Sequence, residues 1–379
     1  MTRRADVVIV GAGVVGCSLA FYLARAGRQV VVLDRGAIGQ GSTGACAGGV
    51  RAQFSTEINI RIGIQAKRIL AAFETQVGRS ADFRRVGYLF LLTTAEERTQ
   101  FAEAVRLQRH LGVDDVVELT PRQAGELVPG LRSDDLSGAT FCPSDGLAGP
   151  NEVTAGYATA ARRLGALILE HAAVTAVSRR AGTIDGVETA HERIAADEVV
   201  ICAGPWTAEV GALAGFTLLV SPSRRHIFTT QPFPAVRRTS PMTIDFHTSF
   251  YFHPEGDGLL FGMGDAEPVE SSRAVVDWSV LDRIVPRAAH RWPPLLEARI
   301  KTGWAGLYEN TPDAQPLVGP LGPGLWVAAG FSGHGFMMGP VIGDWLARWM
   351  TAGASPVDLG SFSPERFATG QSSPEHHVV

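Results

Sequence analysis

A glycine-rich turn near the start of the chain constrains the fold more than any other feature of the sequence. Residues 6–10 (DVVIV) form a short, mostly β-branched run, which is typical of a buried parallel strand. The sequence GAGVVG follows directly at 11–16, and apolar residues then recur at helical spacing up to Ala26. A second apolar run at 29–33 (QVVVL) ends at Asp34. This order predicts a strand–turn–helix–strand unit of the kind that binds dinucleotides.

The three glycines of the turn and the acid after the second strand have separate physical roles. Gly11 permits the tight turn, Gly13 lets a pyrophosphate approach the backbone, and Gly16 lets the helix pack on the strand. The start of the helix presents unpaired N–H groups and a partial positive charge to the phosphates. Asp34 can accept hydrogen bonds from both ribose hydroxyls and would repel a 2′-phosphate, so FAD or NAD is favoured over NADP.

Length and composition set the remaining bounds. The 379 residues exceed what one hydrophobic core usually serves, so two domains are expected. The net charge of −4 argues against a nucleic-acid partner, because nucleic-acid-binding proteins carry a basic excess. The four cysteines form no CxxC pair and no metal-ligand spacing, so neither a disulfide framework nor a metal site is expected. No run of about 18 apolar residues exists, so we expect no membrane span and a cytoplasmic location.

Three later segments favour a flavin over a nicotinamide as the bound group. A glycine-rich loop at 41–51 (GSTGACAGGVR) follows soon after the ribose acid, where an NAD-binding chain normally continues into another helix and strand. Residues 197–205 (DEVVICAGP) and 324–329 (GLWVAA) indicate two further buried strands. The second of these runs into the sequence GFSGHGF, after which Pro340 is predicted to open a helix that continues to about Met350.

With these segments, the sequence resembles the FAD-dependent D-amino-acid-oxidase-like superfamily, and within it the sarcosine oxidases, glycine oxidases and proline dehydrogenase β subunits. The resemblance extends from Val7 to about Met350. It is carried by the motifs GAGVVG, GSTGACAGGVRAQF, VVICAGPWT, YFHP, GWAGLYENTPDAQPLVG and AAGFSGHGFMMGP. The last two motifs together are specific for this family.

The resemblance implies an interleaved architecture of two domains. An α/β Rossmann-like FAD-binding domain would comprise about residues 1–55, 140–220 and 300–365. An α+β substrate-binding domain, built on a mostly antiparallel sheet, would comprise 56–139 and 221–299. The tail at 366–379 is polar and unpatterned, and we expect it to be disordered.

The resemblance also implies an activity and a cofactor, non-covalently bound FAD. Members of the family oxidise the C–N bond of a small amino acid or an N-substituted glycine by transferring a hydride to flavin N5. The imine product then hydrolyses in water, and H2O2 forms where O2 accepts the electrons. An oxidase is favoured over a dehydrogenase. The expected partners are a small amine or amino-acid substrate and either O2 or a partner electron acceptor.

Other activities are also compatible with the sequence. The segments GGVRAQF and GFSGHGFMM resemble the catalytic β subunits of amino-acid dehydrogenase complexes. Flavoenzymes that oxidise 2-hydroxy acids share the superfamily fold, and a histidine could serve as their base. A non-enzymatic flavin-binding protein is disfavoured, because the candidate pocket residues come from both domains. Aromatic hydroxylases share the opening motif, but Gly264-Asp-Ala266 lacks the helix start that they need after it and is interpreted as a strand end and turn.

Amine oxidation requires a group that holds the substrate carboxylate, and four residues are candidates for the catalytic site. Arg51 ends the glycine-rich loop, where related sarcosine oxidases place the arginine that binds this carboxylate, and a guanidinium fork suits that task. Tyr251 aligns with a substrate-site tyrosine of the family. Tyr308 lies where glycine oxidases carry a carboxylate-binding arginine. His334 lies in the GHG turn beside the expected flavin, where its backbone is expected to matter more than its ring.

The resemblance places the cofactor-binding residues in several segments along the chain. They are Gly11, Gly13, Gly16, Asp34, Arg35, Ser42, Thr43, Gly48, Gly49, Val174, Gly204, Gly306, Gly333, His334, Gly335, Phe336 and Met337. Gly306 replaces the cysteine that links FAD covalently in monomeric sarcosine oxidases, so a non-covalent cofactor is expected. Met337 replaces a lysine that helps to hold the carboxylate there, and residues 255–299 contain no lysine for oxygen activation.

Overall fold

The computed structural model describes residues 3–235, 237–264 and 270–378. Its strands are, in chain order, β1 (Arg3–Val10), β2 (Val30–Leu33), β3 (Gly49–Val50), β4 (Tyr88–Leu92), β5 (Val117–Leu119), β6 (Gly138–Cys142), β7 (Gly146–Leu147), β8 (Leu167–Leu169), β9 (Val174–Arg180), β10 (Thr183–Thr189), β11 (Arg193–Ile201), β12 (Ser221–Thr230), β13 (Met242–Asp245), β14 (Phe250–Glu255), β15 (Gly258–Met263), β16 (Ile300–Asn310), β17 (Leu317–Gly322) and β18 (Leu325–Ala329). Its α-helices are α1 (Val14–Arg25), α2 (Glu57–Ala71), α3 (Phe73–Val77), α4 (Ala95–His110), α5 (Pro121–Leu127), α6 (Pro150–Arg163), α7 (Thr207–Leu213), α8 (Leu281–Arg291), α9 (Gly335–Ala352) and α10 (Arg366–Thr369). Short 3-10 helices lie at Gly204–Trp206, Trp278–Val280, Pro293–Glu297 and Gly360–Phe362. No helix among the described residues is long and apolar enough to cross a lipid bilayer.

The first sheet is built around the predicted strand–turn–helix–strand unit. Its main strands lie in the order β17-β18-β11-β1-β2-β8, and the neighbours from β18 to β8 run parallel. Val8 pairs with Val31 of β2 and with Val199 of β11, and all three side chains are buried. Helices α1, α6 and α9 pack on one face, and the antiparallel β9–β10 hairpin contributes to the core on the other. Because both faces are covered, the central strands are continuous apolar runs.

The second sheet is mostly antiparallel, as expected. Its strands lie in the order β16-β12-β15-β14-β13-β4-β6-β5, and among the described pairs only β4–β13 is parallel. Phe228, Phe250 and Phe252 pack in one apolar cluster with Ile284 of α8. The predicted turn at Gly264-Asp-Ala266 cannot be placed in this sheet, because Asp265 and Ala266 lie outside the described residues.

Two strands of the second sheet lie wholly or partly in segments that the sequence predicted for the first domain. β16 begins at Ile300, the predicted return to the first domain, yet it pairs with β12 along its length and so belongs to the second sheet. β6 likewise pairs with β4 across the predicted boundary at residue 140. Pairing between strands that are distant in the sequence produces no local sequence pattern. The positions of motifs alone therefore do not locate the boundaries between the two domains.

Helix α9 begins earlier than the sequence predicted. Pro340 was expected to open the helix, but the helix starts at Gly335 and Pro340 lies within it. Close packing on α1 stabilises this arrangement, since a Cβ added at Gly343 would lie 2.8 Å from the Leu19 backbone nitrogen. The Ser18 hydroxyl also donates a hydrogen bond of 2.8 Å to the Gly339 carbonyl oxygen. Tertiary contacts therefore outweigh the usual cost of an interior proline.

The last described residues are packed against the protein, contrary to the expected disorder. We call residues 371–378, which follow α10, the strap. Within it, the side chains of Glu375 and His377 are only 4% and 2% exposed. This order has no sequence signature, because the strap is held by hydrogen bonds to polar side chains and backbone groups and not by a periodic apolar pattern.

Candidate functional site

A cavity of about 650 Å³ lies between the two sheets. One part of it is lined by Gly11, Gly13 and Asp34, which follow the carboxyl ends of β1 and β2. Another part is lined by side chains of the second sheet, including Tyr251 and Tyr308. Ligand sites in open parallel sheets form outside the carboxyl ends of the strands, so the cavity lies where the strand order predicts it.

The glycine-rich turn has the geometry that the sequence predicted. Gly11 has a φ of +115°, and a Cβ added there would lie 2.1 Å from the Cys202 carbonyl oxygen. A Cβ at Gly16 would lie 1.9 Å from the Gly11 carbonyl oxygen, so Gly16 permits close packing of helix on strand. By contrast, a Cβ at Gly13 would meet only the Thr43 hydroxyl, at 3.2 Å. The backbone of Gly13 is therefore accessible to a ligand in the cavity.

The carboxylate of Asp34 is fixed at the end of β2. One of its oxygens accepts a hydrogen bond from the Ala12 backbone N–H at 2.6 Å, and the other accepts one from the Gly36 N–H at 2.7 Å. The neighbouring Arg35 guanidinium lies 4.3 Å from the centre of the Trp206 ring. Because two backbone groups orient the carboxylate, it can present its free lone pairs to a ribose in a defined direction.

Most of the predicted cofactor-binding residues line this one cavity. They are Gly11, Gly13, Asp34, Arg35, Ser42, Thr43, Gly49, Val174, Gly204, Gly306, Gly333, His334, Gly335, Phe336 and Met337. Gly16 and Gly48 do not line it. A Cβ at Gly48, whose φ is +79°, would lie 2.4 Å from the Ala148 carbonyl oxygen, so this glycine serves backbone packing. The open turn, the oriented acid and the length of the lining fit a dinucleotide cofactor.

The amino-terminal end of α9 also opens on the cavity. Residues 333–337, which include the first residues of this 18-residue helix, all line it. The first N–H groups of a helix lack intrahelical partners and carry partial positive charge. This end of the cavity therefore favours a ligand with partial negative charge.

Arg51 is a buried cation at the cavity wall, with its side chain only 3% exposed. Its guanidinium carbon lies 3.8 Å from the centre of the Phe54 ring. The guanidinium donates to the backbone oxygens of Gln53 and His377, and its Nη2 atom lies 3.0 Å from His334 Nε2. Burial lowers the pKa of Arg51, but an arginine stays charged in proteins. A buried cation of this kind favours an anionic ligand group.

His334 is held as a neutral imidazole by this contact. A guanidinium has only donors, so Nε2 of His334 must accept the hydrogen bond and the ring proton belongs on Nδ1. Burial, followed by the charge of Arg51, lowers the pKa of His334 to about 3. A proton taken up at Nε2 would face the guanidinium directly. The geometry therefore supports a structural role for the ring and opposes its use as a base at Nε2.

Three tyrosines from the second sheet line the cavity. Tyr251 and Tyr308 were predicted, and Tyr88 of β4 joins them. Burial raises the pKa of all three hydroxyls, so each stays protonated at neutral pH and can donate a hydrogen bond. The Arg225 guanidinium carbon lies 5.0 Å from the centre of the Tyr308 ring. All four residues predicted for catalysis thus line the same cavity, although their roles stay predictions.

Sequence reasoning missed several lining residues. Besides Tyr88, they include Arg225, Met242, Ile244 and Glu309. Arg225 and Ile227 both face the cavity from β12, and the two-residue period of a strand would have linked them once one was known. Met337, which replaces a lysine of related sarcosine oxidases, lines the cavity and also packs in the core cluster.

The histidines of the second sheet do not line the cavity. His226 accepts a hydrogen bond of 3.1 Å from the Asp277 backbone N–H. His247 Nδ1 lies 2.9 Å from a Glu97 carboxylate oxygen, and His253 is buried with Nδ1 at 2.9 Å from the Pro254 carbonyl oxygen. Their contacts are those of structural side chains.

Glu309 is a buried carboxyl group at the same cavity. It accepts a hydrogen bond of 2.9 Å from the Gly330 backbone N–H, and this bond ties the end of β16 to the loop before α9. Burial raises the pKa of Glu309 from 4.5 to about 7, against the opposing effect of the backbone hydrogen bonds. Glu309 therefore gains its charge in the folded protein only near neutral pH.

We expect Glu309→Gln to change how stability depends on pH. Because the folded pKa is raised, the stabilisation from protonated Glu309 is complete below about pH 4.5 and is lost as the pH rises through about 7. The free energy of unfolding of the variant relative to the wild type should therefore increase by about 3 kcal/mol between pH 4.5 and pH 8. Thermal unfolding across this range measures the difference. The exposed Glu74→Gln serves as the matched control, and a pH-independent difference for Glu309→Gln would contradict the assignment.

Comparison with known proteins agrees with this geometry. The family model described as DAO, FAD dependent oxidoreductase, matches residues 6–349. Mitochondrial dimethylglycine dehydrogenase of Rattus norvegicus is 32% identical over 390 residues, which cover 96% of this chain and 45% of that protein. The chain thus spans less than half the length of this relative. Glycine oxidase of Geobacillus kaustophilus is 30% identical over 378 residues, which cover 97% of this chain and 98% of that enzyme.

A solved structure is similar over the whole described fold. L-proline dehydrogenase from P. horikoshii matches with a TM-score of 0.92 at 31% sequence identity. The match covers 98% of this chain and 100% of that chain. The two sheets and the cavity between them therefore belong to a fold that known proteins share.

Proposed function

Because the chain belongs to the DAO family of FAD-dependent oxidoreductases, we propose that it oxidises the C–N bond of a small amino acid or an N-substituted glycine. FAD, when bound, supplies the hydride acceptor. The observation that carries the proposal is the buried guanidinium of Arg51 at the cavity wall, in the same cavity as Tyr251 and Tyr308. These side chains can hold a carboxylate-bearing amine beside the cofactor.

The carboxylate of the substrate is assigned to Arg51. Its guanidinium packs between the rings of Phe54 and Phe90, at 3.8 and 5.3 Å from their centres, so little water can solvate its charge. An anionic group is attracted more strongly at such a position than at the surface. A ligand carboxylate at this position would form an ion pair with Arg51 and accept hydrogen bonds from the N–H groups of its guanidinium. The tyrosine hydroxyls supply further neutral donors.

The amine nitrogen of the substrate must lose its proton before a hydride can leave the neighbouring carbon. Among the described lining residues, the acids are Asp34, Glu209 and Glu309. Asp34 lies at the cofactor-binding turn, and burial raises the pKa of Glu309. The tyrosines and His334 are neutral, while Arg51 and Arg225 disfavour a second cation. The site therefore favours the neutral amine without a dedicated base.

The substituent of the substrate is assigned to an apolar part of the lining. Met242 and Ile244 of β13 and Ile227 of β12 line the cavity, together with Met337 of α9. Methionine side chains adapt to irregular shapes. This lining fits an N-alkyl group or a ring better than a second charged group.

An anaerobic titration tests the proposal. The visible absorption of FAD bound to the purified protein is followed while glycine, sarcosine, longer N-alkyl glycines, proline, D-alanine and 2-hydroxy acids are added in turn. We expect at least one amine to bleach the flavin band and no hydroxy acid to do so. Bleaching by a hydroxy acid alone would contradict C–N oxidation. His334, the histidine that lines the cavity among the described residues, is engaged by Arg51 through Nε2 and so is poorly placed to act as a base for that alternative.

The second candidate is the same oxidation with a partner protein as electron acceptor. The similarity to L-proline dehydrogenase, at 31% identity and with complete coverage of that chain, favours it. The two lysines of the chain, Lys67 and Lys301, also lie outside the cavity lining, so neither can assist oxygen there as in related sarcosine oxidases. Admitting air to the bleached protein distinguishes the two. Rapid recovery of colour with H2O2 supports the oxidase, and slow recovery supports the dehydrogenase.

A further inference from the structure

One buried carboxylate, that of Glu375, makes the largest group of hydrogen bonds that hold the strap, beside those that join Ser372 to Asp313 and Ser373 to Gln315. Glu375 accepts hydrogen bonds from the backbone N–H and the hydroxyl of Ser55 at 2.8 and 2.6 Å. It accepts two more from the N–H and hydroxyl of Thr56 at 3.2 and 2.8 Å, and one from the Asn59 amide at 2.9 Å. Thr56 is the N-cap of α2, so the strap supplies the anion at the start of that helix.

The hydrogen bonds to the Glu375 carboxylate lower its pKa by more than burial raises it. Burial alone would raise the pKa of the carboxyl group, yet the hydrogen bonds from Ser55 and Asn59 outweigh it and hold the pKa at about 2. The carboxylate is therefore charged and fully engaged throughout the neutral range.

The same docking brings the strap into contact with Arg51. The His377 backbone N–H donates to Glu375 at 3.0 Å, which fixes the position of the His377 carbonyl group. That carbonyl oxygen accepts a hydrogen bond from Arg51 Nη2. The His377 ring stacks on Phe101 of α4 with 3.9 Å between ring centres. The strap thus connects the start of α2, the second domain and the guanidinium.

We propose that the strap is a positioning element for the substrate carboxylate, with Glu375 holding the His377 carbonyl that orients the Arg51 guanidinium toward the cavity. The inference rests on the proposed function of Arg51. Three acceptors, namely the carbonyl oxygens of Gln53 and His377 and the Nε2 atom of His334, restrict the rotation of the fork. An oriented fork loses less conformational entropy when it binds a carboxylate. Loss of the strap contact should therefore weaken carboxylate binding while leaving the cofactor site intact.

Glu375→Gln tests the proposal, because it keeps the size of the side chain and removes its charge. Two readouts do not depend on turnover. One is hydrogen–deuterium exchange of the peptide that contains residues 371–378, and the other is the dissociation constant of acetate, measured by the shift it causes in the absorption of bound FAD. Acetamide serves as the neutral probe. Glu365→Gln, an exposed position outside the strap, is the matched control substitution.

We expect Glu375→Gln to accelerate exchange in the strap and to weaken acetate binding about tenfold or more. With an oxidisable amine, KM should rise by a similar factor while kcat changes about twofold at most. Glu375→Asp, which keeps the charge, should restore most of the acetate affinity. It also provides a second variant if the glutamine protein does not fold. The control should match the wild type in both readouts.

Other outcomes overturn the inference in distinguishable ways. A loosened strap with unchanged acetate affinity would show that the strap does not position Arg51. Tighter acetate binding would show that the strap competes with the substrate and does not orient its anchor. Unchanged exchange in both Glu375 variants would show that the carboxylate does not hold the strap. If wild-type protein with bound FAD fails to bind acetate at all, the carboxylate subsite of the proposed function fails, and the inference falls with it.

Discussion

Replacing Arg51 by glutamine is expected to raise KM for a carboxylate-bearing amine by roughly 100-fold or more, equivalent to about 3 kcal/mol. The guanidinium is buried against Phe54, so solvent has little access to replace its charge. Without it, the substrate carboxylate would enter a desolvated part of the cavity and lose the cation assigned to bind it. Arg51→Lys keeps the charge but loses the planar fork, so an intermediate effect of about tenfold is expected. Steady-state kinetics on the purified variants measure both.

The control for this prediction is Arg106→Gln, because Arg106 is exposed on α4 and lies away from the cavity. Its KM should equal that of the wild type. FAD content and thermal unfolding must be measured for every variant, since Arg51 also holds His334 and the strap. A correctly folded Arg51→Gln protein with bound FAD and an unchanged KM would exclude Arg51 as the carboxylate anchor.

Replacing Gly13 by alanine is expected to lower the affinity for FAD by about 100-fold while leaving the fold intact. Gly13 has a φ of −74° and a ψ of −176°, which alanine adopts without strain. The added Cβ would meet only the Thr43 hydroxyl, at 3.2 Å, so the protein itself tolerates it. The new methyl group would instead occupy the space in which a pyrophosphate approaches the backbone. Titration of the apoprotein with FAD, followed by tryptophan fluorescence, measures the affinity.

Gly125→Ala is the matched control for this prediction. Gly125 lies on α5, outside the cavity, and a Cβ there would meet only the Ser133 hydroxyl, at 3.5 Å. Its FAD affinity should be that of the wild type. Gly11→Ala provides the opposite comparison, because a Cβ 2.1 Å from the Cys202 carbonyl oxygen should destabilise the protein itself. A Gly13→Ala protein that binds FAD as tightly as the wild type would place the pyrophosphate elsewhere.

The sequence predicted those parts of the fold in which local pattern and function coincide. The strand at 6–10, the turn at 11–16 and the acid at 34 are neighbours in sequence and also in space, so spacing alone locates them. The same holds for the segment at 330–336, which joins a buried strand to a helix and whose residues 333–336 line the cavity. The family, the two-sheet fold and the cofactor that these motifs predicted are confirmed.

The parts that the sequence did not predict depend on contacts between distant segments. Tyr88 and Arg225 reach the cavity because β4 and β12 belong to the same sheet, and the order of strands in that sheet has no local sequence signature. The burial of Glu375 depends on Ser55 and Asn59, more than 300 residues earlier in the chain. A polar segment can be ordered when each buried polar group finds a partner, and composition does not show whether it does.

The roles of the residues within the cavity could be predicted only in part, because they depend on contacts between side chains. The family resemblance placed Arg51, Tyr251 and Tyr308 at one site, and all three line one cavity. The sequence did not show that Arg51 would contact His334 and the strap, and this contact changes the interpretation of both. His334 becomes a neutral acceptor for the guanidinium, and the strap becomes part of the site.

The most direct test of the account is an anaerobic comparison of paired substrates. Sarcosine and L-proline are each added to the protein with bound FAD, beside sarcosinamide and L-prolinamide, which lack the carboxylate. We expect at least one of the two amino acids to bleach the flavin band, and its amide to do so at least about 100-fold less efficiently. Equal bleaching by an amino acid and its amide would contradict the assignment of Arg51. Bleaching by glycolate, with none by any amine, would contradict C–N oxidation itself.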